Sequence, residues 1–273
     1  MHIKMQELLD EKLSENSQNF VTYFNGGEKI EKSFKTVAGD IDLLLERLYY
    51  LCTIKKIETI AIIGNVSYDW MITDLACIKG GFKSVAIPEV FTFEQAKSAI
   101  RESGADILLL DYQLKSIFSD LELVVPIYLI ASANPEDSIH KTPRQKSIHK
   151  PNIREVYSIC FSSGTSESPK SINLSFRNIP PKKGFTNIVD KVVGVIKYKT
   201  SFWSRKDNKI IIFMPLSHFQ QRSFIFQALL LNINIVLSDS SNCLKHLITE
   251  KPNIMVSVPV FYETIARRIQ TKI

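Results

Sequence analysis

Apolar positions along this chain recur with two periods, and the switching between them predicts the architecture. Val37, Ile41, Leu44, Leu45, Leu48 and Cys52 share one stripe at helical spacing, with Thr36 as the expected cap. Residues 59–63 are a continuous β-branched run, the pattern of a strand covered on both faces. Ser67 is placed to cap a second helix carrying Trp70, Asp74, Leu75 and Ile78, and Gly80-Gly81 stops it. Strand 84–87 ends at Pro88; Thr92 and Gln95 form a capping box whose helix closes at Gly104. Strands are expected again at 106–110 and 127–130, followed by a polar, Pro-bearing stretch from 131 to 152. The alternation resumes with a strand at 156–161, a strand at 209–213, a helix at 219–231 and a strand at 233–237. A helix at 242–250, a strand at 254–258 and a last helix from Pro259 complete it. Strand–helix alternation of this kind predicts an α/β fold of mainly parallel sheets flanked by helices, whose ligands bind beyond the carboxyl ends of the strands. The polar stretch suggests two subdomains, 1–150 and 151–273.

Composition narrows the class. The chain has 273 residues, 45% hydrophobic and 23% charged, with 10 Gly and 11 Pro, which excludes disorder and collagen-like structure. Cys52, Cys77, Cys160 and Cys243 lie far apart without a CxxC pair, which argues against a zinc site and a disulfide framework and fits a reducing compartment. The longest apolar stretch, 223–237, is broken by Gln227, Asn232 and Asn234 and falls short of the ~20 residues a membrane span needs. The polar, acidic start does not read as a secretory signal, so a cytoplasmic location is expected. The net charge of +6 raises the question of nucleic acid. The densest basic stretch, 140–150, carries no aromatic residue to stack on bases, and it reads as a solvated linker.

The informative chemistry lies directly after the strand at 156–161. Ser162, Ser163, Gly164, Thr165 and Ser166, then Lys170, put hydroxyls, a close-approach glycine and a cation in one loop, a set that suits phosphate oxygens. With a single glycine it is not a GxxxxGK[ST] loop, and a Ser-rich surface turn has the same composition.

Residues 159–178, Ile-Cys-Phe-Ser-Ser-Gly-Thr-Ser-Glu-Ser-Pro-Lys-Ser-Ile-Asn-Leu-Ser-Phe-Arg-Asn, resemble the AMP-binding signature of the adenylate-forming enzymes. Phe213-Met-Pro-Leu-Ser-His218 is similar to that superfamily's PLxH segment, and Val258-Pro-Val-Phe-Tyr-Glu-Thr-Ile265 to its VPxxYExI stretch in a form like that of long-chain acyl-CoA synthetases. The resemblance implies the N-terminal portion of the large domain of such an enzyme. It also implies an AMP-forming ligase that activates a carboxylic acid, fatty or aromatic, with ATP and Mg²⁺ for transfer to CoA or a carrier-protein thiol. By residue match Ser162, Ser163, Gly164, Thr165, Ser166 and Lys170 would hold the nucleotide phosphates, Thr165 would help hold Mg²⁺, and His218 would line the acyl and adenylate pocket at the reaction centre. Donors and a metal ion there would stabilise the charge that gathers on the α-phosphate.

Three departures qualify the match. Glu167 and Ser171 stand where the signature has glycines, and Phe176 where it has histidine. A carboxylate ~5 Å from a phosphate charge costs ~3 kcal/mol at an effective dielectric near 20, so Glu167 either points to water or weakens binding. The later motifs for adenine, ribose and the catalytic lysine are not in the sequence. The expectation is therefore a chain that does not complete adenylation by itself and that meets a second chain or self-associates. A truncated, non-catalytic homologue acting as a binding or scaffold partner is the alternative.

Overall fold

A computed structural model of the chain describes residues 5–130, 138–146, 156–162, 169–175 and 207–270. It opens with helix α1 (Met5–Leu13) and a hairpin of β1 (Phe20–Asn25) and β2 (Glu28–Ser33), none of which the hydrophobic pattern marked. Gly26 and Gly27 sit at the turn with φ of 58° and 86°, the left-handed backbone that a tight two-residue hairpin loop demands. Helix α2 (Phe34–Lys55) begins before the expected position: Ser33, not Thr36, is its cap, the Ser33 hydroxyl accepting from the Thr36 N–H at 3.1 Å. The expected stripe is its buried face.

The alternation then follows the sequence pattern through β3 (Thr59–Ile63), α3 (Tyr68–Gly80), β4 (Lys83–Ile87), α4 (Phe93–Ser103), β5 (Ile107–Asp111), a short α5 (Lys115–Phe118) and β6 (Ile127–Ile130). Ser67 caps α3, Gly81 ends it with φ 75°, and both reciprocal bonds of the Thr92–Gln95 capping box form. Strands β7 (Val156–Ser162) and β8 (Lys170–Ser175) form an antiparallel pair. After them come β9 (Lys209–Ile212), α6 (Phe219–Leu231), β10 (Asn234–Leu237), α7 (Cys243–Glu250), β11 (Ile254–Met255) and α8 (Pro259–Gln270). Strand β11 is two residues long, shorter than the apolar run at 254–258 suggests.

The strands make two sheets, ordered β6-β5-β3-β4-β7-β8 and β11-β9-β10-β1-β2. Every neighbouring pair is parallel except the edge pairs β7–β8 and β1–β2, so the expected mainly parallel α/β fold is the fold observed. Each sheet draws strands from both sides of residue 150. The period of two in the strands distributes their side chains between layers. Ile60 and Ile62 of one sheet and Ile210, Ile212 and Ile235 of the other meet a shared core with α1, α2, α3 and α6 between them. Ala61, Ile63, Val85 and Ile87 face the opposite way, onto Ala96, Ala99 and Ile100 of α4. Ile211 and Val236 face Cys243 on the far side of the second sheet. The order is helix, sheet, helices, sheet, helix.

One polar contact crosses this central layer. Arg222 of α6, 1% exposed, donates through Nε to Asp74 Oδ2 at 2.9 Å and through Nη2 to Asp74 Oδ1 on α3. It also donates to Ser84 Oγ of β4 (3.0 Å), Ser158 Oγ of β7 (2.8 Å) and Cys160 Sγ (3.4 Å). The indole of Trp70 lies 5.7 Å from the guanidinium. Burial alone would push the arginine's pKa down; the Asp74 carboxylate more than offsets this, and the net direction is up.

The stretch read as a solvated linker is only partly so. Ile139 is fully buried, Arg47 Nε of α2 donates to the His140 carbonyl at 3.0 Å, and the Gln145 N–H donates to the Glu46 carbonyl. Residues 138–146 thus form a strap across α2, anchored by Ile139 just before the basic stretch, whose described residues 140–146 are themselves exposed or half-buried. All four cysteines are free thiols. Among the described residues no helix is long and apolar enough to cross a membrane.

Candidate functional site

The carboxyl ends of the parallel strands open onto a cleft of about 860 Å³. It is lined by Tyr23 and Phe24 of β1, by Asn65 and Val66 just past β3, and by Glu89 past β4. Asp111 closes β5, Phe213 and Pro215 follow β9, and Ser238 and Asp239 follow β10. This is the position at which α/β sheets bind ligands.

The wall on the β3 side depends on close backbone approach. A Cβ on Gly64 would lie 3.1 Å from Asp111 Cβ and 3.1 Å from the Trp70 ring, so the glycine lets β5 and α3 come together there. Asp111 accepts from the Gln113 N–H at 3.0 Å and the Asn65 N–H at 3.3 Å; burial nevertheless holds its carboxyl above the usual range. Next to it, Asp40 Oδ2 of α2 accepts from Lys32 Nζ and from Tyr68 OH, both at 2.6 Å. Lys32 lies 4.7 Å over the Tyr68 ring, which stacks on Tyr23 at 4.6 Å. Burial, then the Asp40 carboxylate, raises the Tyr68 pKa far above its ordinary value. His140 Nε2 comes within 3.9 Å of Asp69 Oδ1, but burial pushes the imidazole down and the carboxyl up.

On the opposite wall His246 stacks on Phe24 with ring centroids 3.5 Å apart and shares a 2.7 Å hydrogen bond between Nδ1 and Ser238 Oγ. Asp239 accepts from the Asn242 side-chain amide and from the backbone N–H groups of Asn242 and Ser241, each at 2.8 Å; despite burial, these bonds hold its carboxyl below the usual range. Carboxylates thus outnumber cations around the cleft. Lys32 is paired to Asp40, and Arg47 donates to the carbonyls of Leu43 and His140.

The sequence-predicted loop is located by the two strands that flank it. Ser162 ends β7 and Lys170 begins β8, and the two are register partners, so they bracket residues 163–169 at the same end of the sheet as Glu89. Lys170 is exposed. Ser163, Gly164, Thr165 and Ser166 lie outside the described residues, as does the Glu167 departure. Ser171, the other departure, donates to Glu102 Oε1 of α4 at 2.6 Å, an anchor for the strand that a glycine could not provide. His218 is the exposed N-cap of α6 and makes no side-chain capping bond. It faces Glu89 closely enough that its field, with Ser217, pulls the Glu89 carboxyl down against the stronger upward push of burial. Ser162 thus stands at the carboxyl end of β7, Lys170 at the amino end of β8 beside it, and His218 at the amino end of α6. Among the described residues no three His, Cys, Asp or Glu side chains converge as a metal site. Burial raises the pKa of every cysteine, that of Cys243 to about 11, so none is poised as a thiolate nucleophile.

Tyr23, Lys32, Asp40, Asp69, Asp111, His140 and His246 were not singled out by sequence reasoning. For Asp69 and Asp111 a signal was available, their place at the ends of an expected helix and an expected strand. The Asn25-Gly26-Gly27 turn after Phe20–Asn25 would have found the β1 wall.

Comparison with known proteins gives the following. A family model described as "AMP-binding enzyme" matches residues 14–272. The long-chain-fatty-acid–CoA ligase FadD15 of Mycobacterium bovis is 24% identical over 223 residues, covering 76% of this chain and 36% of that protein. Long-chain-fatty-acid–CoA ligase 3 of Saccharomyces cerevisiae is 22% identical over 268 residues, covering 78% and 36%. The chain therefore spans about a third of the length of these curated relatives. Among solved structures, O-succinylbenzoate coenzyme A synthetase (MenE) of Bacillus subtilis in complex with AMP superposes with a TM-score of 0.74 at 16% identity. That match covers 96% of this chain and 64% of the other. A long-chain-fatty-acid–CoA ligase (FadD1) from Archaeoglobus fulgidus gives 0.77 at 13% identity, covering 99% and 55%. At these identities the structures establish the fold.

Proposed function

Since the chain belongs to the AMP-binding enzyme family, we propose that it is the N-terminal portion of an AMP-forming ligase that activates a carboxylic acid with ATP for thioester formation. The observation that carries this reading is the placement of Ser162 and Lys170 around residues 163–169 at the carboxyl end of the first sheet, with His218 on the neighbouring α6. In this reading Ser162, Ser163, Gly164, Thr165, Ser166 and Lys170 hold the phosphates of ATP. Thr165 would hold the Mg²⁺ that accompanies the nucleotide, an ion that would neutralise phosphate charge. His218 faces the acid and adenylate. The acid is fatty or aromatic, as the names of the relatives suggest for them, and CoA or a carrier-protein thiol accepts the acyl group. Cytoplasmic residence and a second chain or self-association belong to the same proposal.

The chain's own contribution is electrostatic. Lys170 stands exposed at the mouth of the loop, and among the described residues no carboxylate forms an ion pair with it. A hydrogen bond to a charged oxygen is worth ~1.5–3 kcal/mol net. Calorimetric titration of ATP into the chain is expected to show binding that Lys170→Ala weakens roughly 10- to 150-fold. Unchanged affinity in the variant, or no binding by the parent chain, would overturn the assignment and leave the binding-partner reading, which Glu167 and Ser171 favour.

A further inference from the structure

Away from the loop after β7, the cleft holds a hydroxyl paired to an imidazole. Ser238 follows β10 directly, and its N–H donates to the Ile212 carbonyl at 2.8 Å, one step past the β10–β9 ladder. Its Oγ lies 2.7 Å from His246 Nδ1. His246 belongs to α7, where its own N–H donates to the Asn242 carbonyl at 2.9 Å. The Phe24 ring of β1 stacks on the imidazole, with planes 7° apart. A strand end, a helix and a stacked ring thus fix the pair. Each is 5% exposed, and both line the cleft.

A serine hydroxyl within hydrogen-bond reach of an imidazole that a third group orients is the arrangement of an activated nucleophile. The hydroxyl's other acceptor, the Asp239 carbonyl, lies at 3.3 Å, so with the imidazole proton on Nε2 the hydroxyl is aimed at the nearer Nδ1. Burial, the largest influence, lowers the His246 pKa and favours the neutral ring that a base requires, and the Asp239 carboxylate opposes it. Asp239, itself anchored by the N–H groups of Ser241 and Asn242, is placed to stabilise the imidazolium that forms when the serine proton is taken. Leu237 and Phe213 also line the cleft and offer apolar surface to an acyl chain.

We propose that Ser238 and His246 form a nucleophile–base pair that hydrolyses activated acyl esters and thioesters, an activity separate from carboxylate activation. Ser238 Oγ attacks the acyl carbonyl carbon while His246 Nδ1 takes its proton. The bond from that carbon to the leaving oxygen or sulfur breaks, and the leaving group departs with the proton as an alcohol or thiol. Water then attacks the seryl ester and gives a proton to Nδ1. The carboxylic acid leaves as that proton returns to Ser238 Oγ. The sequence of steps uses water as its one co-reactant and no nucleotide.

The test is p-nitrophenyl acetate and p-nitrophenyl butyrate with the 273-residue chain, ATP absent, read as p-nitrophenolate absorbance and by mass spectrometry of acid-quenched digests. Release beyond one equivalent per chain is expected, with the acyl group found on Ser238. Ser238→Ala is expected to bring release down to the rate in buffer, and His246→Gln to lower it about 100-fold or more. Circular dichroism checks the fold of each variant; Ser238→Ala removes a single oxygen and decides the outcome should His246→Gln, which loses the Phe24 stack, fail to fold. Release that ends within one equivalent, acyl groups confined to other residues, or an unchanged rate in either folded variant overturns the pair. Because no ATP is present, failure here leaves the nucleotide reading standing, and failure of the ATP titration leaves this activity standing.

Discussion

The Arg222–Asp74 pair gives the most quantitative handle on how the two sheets are held together. Replacing Arg222 with Met removes five hydrogen bonds and leaves the Asp74 carboxylate buried with Ser84 Oγ as its remaining donor, at 3.0 Å. Breaking a buried pair from one side costs about 3–5 kcal/mol, because the other charge stays in the interior uncompensated. A 273-residue chain with ordinary stability of roughly 5–15 kcal/mol would lose a large fraction of it. Removing both charges, with Arg222→Met and Asp74→Leu together, should cost far less than the sum of the single changes. The serines keep a bond of their own without the arginine: Ser158 Oγ donates to the Ser84 carbonyl at 3.0 Å. The assay is urea denaturation of the parent, both singles and the double, followed by tryptophan fluorescence and circular dichroism. A coupling energy above about 2 kcal/mol is expected. An Arg222→Met cost below about 1 kcal/mol, or additivity of the two changes, would refute the view that this pair is a single buried unit.

Two further changes probe the site and the packing beneath it. Burial raises the Glu89 pKa, so that group's contribution to stability is full below the ordinary carboxylate value and is lost as pH rises through its raised folded value. Glu89→Gln should therefore raise the melting temperature at pH 7 and leave it unchanged near pH 4; a gain independent of pH would contradict this. At the α2–α3 contact a Cβ on Gly80 would lie 2.5 Å from Leu45 Cδ1 and 2.8 Å from the Phe82 ring. Gly80→Ala is expected to cost about 1–3 kcal/mol in denaturation, and a neutral result would mean that the helices part freely there.

Much of the fold could be read along the chain because its signals are local. The Ser67 and Thr92 caps, the glycines at 81 and 104, and the fully buried runs at 59–63 and 107–111 depend only on near neighbours and period. The β1–β2 hairpin escaped notice because β2, Glu-Lys-Ile-Glu-Lys-Ser, is a charged edge strand with no buried residue. Charge on an edge protects against unwanted pairing, and it also erases the hydrophobic alternation that marks a strand. The misplaced cap of α2 has a similar cause: Ser33 and Thr36 are both good caps and share a 2.9 Å hydrogen bond, and the tertiary burial of Phe34 decides between them. The cleft was hidden for a different reason. Its walls join Lys32 to Asp40, His140 to Asp69 and Phe24 to His246, pairs that meet only when two sheets and a strap assemble. The Ser-rich loop after β7 shows the reverse case, with a motif plain in the sequence whose central residues lie outside the described structure.

The central claim, that ATP is held where β7 gives way to β8 and α6 begins, is tested most directly by amide hydrogen exchange with and without ATP and Mg²⁺. Added nucleotide is predicted to slow exchange in peptides spanning 160–171 and 214–219, with smaller change across α4 and α8. Slowing confined to other segments, or none at saturating nucleotide, would contradict it.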